Sequence, residues 1–299
     1  MLPVAAIVEY DGGAYNGFQL QPNVPTIQGE LEQSLARCTG EKQGRPFPVV
    51  GSGRTDTGVH ARGQVIAARL AWKHDLYSLL SAWNAHLPDD IVVRRLALAP
   101  ETFHPRFSAV SRTYRYSVIT VHADAPQPVQ DARYKHASHQ DGQQHGRDGE
   151  RQKRPRRSPL TDGTAFHEPR MLDLDGMNEA AARLVGEYDF ATFGRPPQGT
   201  NTVRTLFSAQ WQEAASTLPR LANDNGRHLV FTVKANGFLQ HMVRNLVGSL
   251  LAVGLGQRTP DELFGDLLAR DRKRSAAPAP PQGLVLEQVD YPEENDPFR

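Results

Sequence analysis

One order of strand and helix signals is written twice along this chain, and that recurrence limits its fold more than any single motif does. Val4 to Tyr10 is an apolar run stopped by "DGG", the pattern of a buried strand and a turn. Thr26 precedes Ile27, Leu31 and Leu35, an i,i+4 row that predicts an N-capped amphipathic helix. Two strand patterns, "QVIAARLAW" and "IVVRRLALA", enclose a second helix near Leu76 to His86 that stops before Pro88. The order then returns. "SRTYRYSVIT" reads as a strand, "MNEAAARLVGEYDF" as a helix, and "TVRTLFSAQWQ" and "HLVFTVKA" as strands.

Phe238 to Val253 follows as a strongly periodic helix. Phe238, Met242, Leu246 and Leu250 form one apolar row, and Leu239, Val243, Val247 and Leu251 form the next. Gln240, His241, Arg244 and Asn245 fall on the other face. Thr259 and Pro260 then open a capped helix, "TPDELFGDLLAR", and "GLVLEQVDY" supplies a final strand. The expectation is an α+β chain of two similar halves, residues 1–103 and 104–291, with a short tail at 292–299. The recurrence is one of pattern and not of identity.

Residues 124–167 break this pattern. "QDARYKHASHQDGQQHGRDGERQKRPRRSP" is polar and nearly free of aliphatic side chains, so burial cannot offset its ordering entropy and a disordered insertion is expected. Five of the seven residues from Arg151 to Arg157 are basic. Such a run is either a solvated tail or an electrostatic arm for RNA phosphates. His136, His139 and His145 suggest a metal site, but a structureless segment offers no fixed ligand geometry, and no metal is assigned.

Charge narrows the partners. Lys and Arg number 34 against 33 Asp and Glu over 299 residues, a net charge of +1, so any nucleic-acid surface must come from local clustering. The single cysteine, Cys38, forms no internal disulfide and makes no zinc site alone, which suits a reducing compartment. The N-terminus lacks a basic leader and meets Glu9 and Asp11 early, and no apolar run reaches the roughly 20 residues that span a bilayer. A soluble, cytoplasmic protein is expected.

The chemistry concentrates in "VVGSGRTDTGVHARGQV", Val49 to Val65. A P-loop reading fails because Val59 and His60 stand where lysine and Ser/Thr are required, and in a dinucleotide pattern Asp56 would replace the third glycine. An aspartic-protease dyad would need a second chain, since no other Asp-Thr-Gly or Asp-Ser-Gly exists here. Arg54, two residues before Asp56 and on the same side of an extended segment, argues further against a neutral acid. A Ser52, Asp56 and His60 triad leaves nothing to orient the imidazole. The plain alternative is a glycine-rich turn carrying a structural Arg54–Asp56 ion pair.

"GRTDTGVHARGQV" closely resembles the catalytic signature of the anticodon stem-loop tRNA pseudouridine synthases. "YDGGAYNGFQLQP", "NAHLPDDIVV", "FHPRFSAVSRTYRY", "KANGFLQHMVRNLVGSLLAVG" and "PQGLVLEQVDYP" resemble the same family in the same order. Phe18 stands where the family usually has tryptophan, and the insertion is longer than usual. The resemblance implies two ferredoxin-like halves with antiparallel or mixed sheets joined around a basic cleft. It implies a homodimer that acts on tRNA and isomerises uridine to pseudouridine at positions 38, 39 and 40 of the anticodon arm, without metal or organic cofactor. Asp56 is then the carboxylate that acts at the ribose carbon, and Arg244 is its partner. Arg54 enters the RNA where the target nucleotide flips out, and Tyr114 stacks on the uracil. Leu284 closes the pocket against water, while Gly51, Gly53 and Gly58 permit turns and close approach. The rival readings are a non-catalytic RNA-binding module of the same fold and a dimeric aspartic protease.

Overall fold

The first apolar run forms β1 (Leu2–Tyr10), and its near-continuous burial follows from its place between two partners. It pairs antiparallel with β3 (His60–Leu70) on one side and β4 (Ile91–Leu98) on the other. In the second half β5 (Ser111–Val121), β9 (Gly226–Ala235), β8 (Val203–Glu213) and β7 (Gly186–Asp189) pair antiparallel in that order. One strand from the end of the chain unites the halves. β10 (Leu284–Asp290) runs antiparallel to β5 and parallel to β3, where Val285 meets His60 and Leu286 meets Ala61. Two short strands, β2 (Val50–Gly51) and β6 (Phe166–Glu168), attach to β3 and β5. The result is one mixed sheet of ten strands in this computed structural model, which describes residues 1–40, 47–121, 161–197, 199–214 and 226–299.

Local chemistry explains the helices. In α1 (Ile27–Thr39) the Thr26 side chain accepts from the Gly29 N–H, and Gly40 ends the helix in the left-handed region. Asp75 caps α2 (Leu76–His86) by accepting from the Ser78 N–H. These two helices meet through fully buried Leu31, Leu35 and Trp83, whose indole N–H donates to Ser34 Oγ at 2.9 Å. Burying one such large apolar side chain contributes roughly 1.5–3 kcal/mol. In the second half α3 (Leu174–Arg183), α4 (Met242–Gly254) and α5 (Pro260–Ala269) pack on one another, and a reciprocal Thr259–Glu262 capping box opens α5.

Four expectations need correction. The helix pattern predicted from Phe238 begins only at Met242, because His241 adopts φ 62° and ψ 4°, outside the right-handed helix. Asn245, expected on a polar outer face, is fully buried and donates to the Phe193 carbonyl at 2.6 Å. "GEYD" is a strand and not the end of a helix, since Gly186 at φ 128° cannot continue α3. At the end of the segment expected to lack structure, Phe166–Glu168 pair with Val118, Ile119 and Thr120, a stabilisation that local composition does not reveal. The rest of that segment up to residue 160, including its three histidines and its basic run, lies outside the described residues. Among the described residues no helix is long and apolar enough to cross a membrane.

Candidate active site

Asp56 stands in the loop between β2 and β3, and side chains buried in neighbouring strands set the path of that loop. Gln64 of β3 is fully buried; its Nε2 donates to the Gly53 carbonyl at 3.0 Å and its Oε1 accepts from Ser52 Oγ at 2.7 Å. Tyr10 of β1 shares a 2.8 Å hydrogen bond with Thr55 Oγ1. Burial pushes the Tyr10 phenol up to about 12, so its proton stays in place near neutral pH. The Phe18 N–H donates to the Thr55 carbonyl at 3.1 Å, and the Phe18 ring lies so close to Gly51 that a Cβ there would approach it to 2.5 Å. Gly58 turns the chain at φ +76°, which side chains resist. Gly53 has open space and no positive φ, so the close approach expected there is not observed.

The second half supplies what faces the carboxylate. His241, just before α4, donates from Nδ1 to Asp56 Oδ2 at 2.9 Å. Arg244, in the first turn of α4, brings Nη1 to 3.6 Å from the same oxygen. Its Nε donates to the Ala279 carbonyl at 2.7 Å, and Ala279 returns its N–H to the Arg244 carbonyl at 2.9 Å. The Tyr116 hydroxyl holds the next residue by donating to the Pro280 carbonyl at 2.8 Å. This pinned segment leads through a 3-10 turn, Pro281–Gly283, to Leu284. The group that partners the acid therefore also positions the start of β10.

Asp56, His241, Arg244 and Leu284 line one open cleft of about 1120 Å³. Arg54, Arg106, Arg112, Arg204 and Arg244 line it, and Asp56 is the one acid among the described lining residues. A chain of almost zero net charge thus concentrates cations around Asp56. Arg112 is largely desolvated, which pulls its guanidinium below the ordinary arginine value; it donates to the carbonyls of Ser52, Arg106 and Asn236. Arg204 is lowered as well, first by desolvation and then by the charge of Arg112. Two crowded guanidiniums with no carboxylate partner among the described residues favour an anionic ligand. Tyr114 is buried beside them and meets Phe238 edge-on at 5.1 Å between ring centroids. Burial raises its phenol well above the usual range, so it stays neutral.

All five residues singled out in the sequence line this cleft: Arg54, Asp56, Tyr114, Arg244 and Leu284. Arg54 is exposed, and the ion pair with Asp56 that the plain alternative required is not formed. His241 and Arg244 take that place, drawn from the other end of the chain. Sequence reading missed Tyr10, Gln64, Arg112 and His241. A polar Gln64 inside an apolar strand was a usable signal. The backbone of His241 was not, since its left-handed conformation interrupts an unbroken helical periodicity.

Comparison with known proteins agrees with this geometry. The family described as tRNA pseudouridine synthase matches residues 6–108 and 180–292. A tRNA pseudouridine synthase A of Geotalea uraniireducens is 37% identical over 97% of this chain and 100% of its own length. Another of the same name from Bacillus pumilus is 35% identical over 97% and 99%, and one from Methylacidiphilum infernorum is 36% identical over 97% and 95%. With β2 to β4, β7 to β10 and the Asp56 loop inside the matched ranges, the chain belongs to the tRNA pseudouridine synthase family.

Proposed function

We propose that this protein isomerises uridine to pseudouridine at positions 38, 39 and 40 of the tRNA anticodon arm, with Asp56 as the group that acts on the ribose. The observation that carries the reading is a single carboxylate, 27% exposed, held by His241 and Arg244 in a cleft lined by arginines. Breaking an N-glycosidic bond develops positive charge at the ribose carbon, and a carboxylate fixed beside it stabilises that charge or attacks it. The cleft arginines meet the phosphates. Arg54, exposed on the loop before Asp56, reaches the stack that the flipped nucleotide leaves. Tyr114 offers the uracil an aromatic face and a neutral hydroxyl. Leu284, buried at the start of β10, shields the cleaved sugar from water.

In this reading the protein acts in the cytoplasm as a homodimer, one tRNA touching both subunits, and uses no cofactor. The halves, residues 1–103 and 104–291, each contribute one side of the cleft, with Asp56 from the first and Arg244 from the second. The test is release of tritium from tRNA carrying 5-tritiated uridine, because bonding C5 to the ribose expels that hydrogen. Release at positions 38 to 40 supports the reading. Tight tRNA binding with no release would favour the binding-module alternative.

A further inference from the structure

His241 is one of three non-glycine residues at positive φ among the described residues, and it sits where α4 begins. A residue at that position usually turns its side chain back to cap the helix. His241 makes no such bond. Its backbone is held from both sides instead: the Gln240 N–H donates to the Arg195 carbonyl at 2.8 Å, and the His241 carbonyl accepts from the Asn245 N–H at 3.0 Å. The imidazole is thereby aimed at Asp56, with Nδ1 at 2.9 Å from Oδ2.

Arg244 approaches that same oxygen at 3.6 Å. The torsion that turns a carboxylate about its own axis is broad and nearly two-fold, so one long contact leaves the two oxygens interchangeable. A hydrogen bond from His241 and the nearby charge of Arg244 converge on Oδ2, which distinguishes the two oxygens and makes Oδ2 the held one. The donor must carry its hydrogen on Nδ1, since a lone pair there would face the carboxylate.

We propose that His241 is a positioning residue of the isomerisation: its Nδ1–H locks the Asp56 carboxylate through Oδ2 so that Oδ1 is presented to the ribose of the bound uridine. The proposal rests on the reading of Asp56 given above. Two substitutions separate the hydrogen bond from the unusual backbone. Glycine accepts the left-handed conformation and removes the imidazole, whereas asparagine accepts it and places an amide N–H near the position of Nδ1.

The experiment measures tritium release across tRNA concentrations, with thermal unfolding alongside. His241→Gly is expected to lower kcat by about 10- to 100-fold, as a misplaced reacting group does, with KM within about twofold and an unchanged unfolding temperature. His241→Asn is expected to recover most of that loss. Wild-type kcat in His241→Gly overturns the proposal, as does a rise in KM alone, which would make His241 a tRNA contact. Equal impairment of the two variants overturns it too, because backbone and bulk would then be the cause. A wild-type protein that releases no tritium overturns the functional reading itself, whereas an active wild type paired with an active His241→Gly overturns this inference alone.

Discussion

Arg244 and Ala279 hold each other twice, through Nε to carbonyl at 2.7 Å and N–H to carbonyl at 2.9 Å, across a sequence separation of 35 residues. The double link ties α4 to the segment that ends at Leu284 while Nη1 reaches towards Asp56. Arg244→Ala is therefore expected to lower both stability and turnover. The lost bond to Ala279 and the weakened hold on a partly buried acid amount to about 1–3 kcal/mol. Urea unfolding and tritium release check the two effects, and wild-type values in both would make Arg244 an ordinary surface residue.

Asp56→Asn is expected to abolish isomerisation, by roughly 10³-fold or more, while tRNA affinity stays near the wild-type value. In the proposed reading the labour within the cleft is divided: the lining arginines take the phosphate contacts, and the carboxylate, which repels phosphate, takes the chemistry. Tritium release and filter binding measure the two separately. Appreciable turnover by the variant would remove Asp56 from the mechanism.

Alkaline stability reports on the burial of the Tyr10 phenol. Burial raises the Tyr10 phenol from 10.0 to about 12, so the folded state keeps that proton longer than the unfolded chain does. The contribution is complete below pH 10.0 and disappears as pH rises through about 12. Two units correspond to about 3 kcal/mol. Tyr10→Phe is expected to cost about 1 kcal/mol at neutral pH, through loss of the Thr55 bond, yet to decline less steeply above pH 10.0. Urea midpoints across that range test it, and parallel curves for the two proteins would refute the assignment.

Salt dependence of tRNA binding distinguishes the cleft from the basic run. Neutralising Arg106 or Arg204 with glutamine is expected to reduce the slope of log affinity against log salt by about 0.7 to 0.9 each, one phosphate contact apiece. Deleting Gln127 to Pro159, which removes the five basic residues between Arg151 and Arg157, should lower the slope further while saturating turnover persists. An unchanged slope after the deletion would make that run a solvated linker, and a loss of saturating turnover would make it part of the active structure.

Much of this protein was legible in its residues because the relevant physics is local. Thr26, Ile27, Leu31 and Leu35 specify α1 within a few turns, and Thr259, Pro260 and Glu262 specify the start of α5. Hydrogen bonds of a cap and the burial of a stripe depend on neighbours in sequence, so periodicity reveals them. Asp56, Arg54, Tyr114, Arg244 and Leu284 were readable for another reason: their motifs are those of a family. What surrounds Asp56 could not be read that way. His241 lies 185 residues from it, and its meeting with Oδ2 depends on β10 inserting between β3 and β5, and on a left-handed turn that a helical pattern hides. Register between remote strands sets such contacts, and no window of sequence contains both partners. The sequence by itself determined most of the elements and the motifs that contain Asp56, Arg54, Tyr114, Arg244 and Leu284; only the tertiary structure decided that these side chains meet in one cleft, which oxygen of Asp56 is held, and by what.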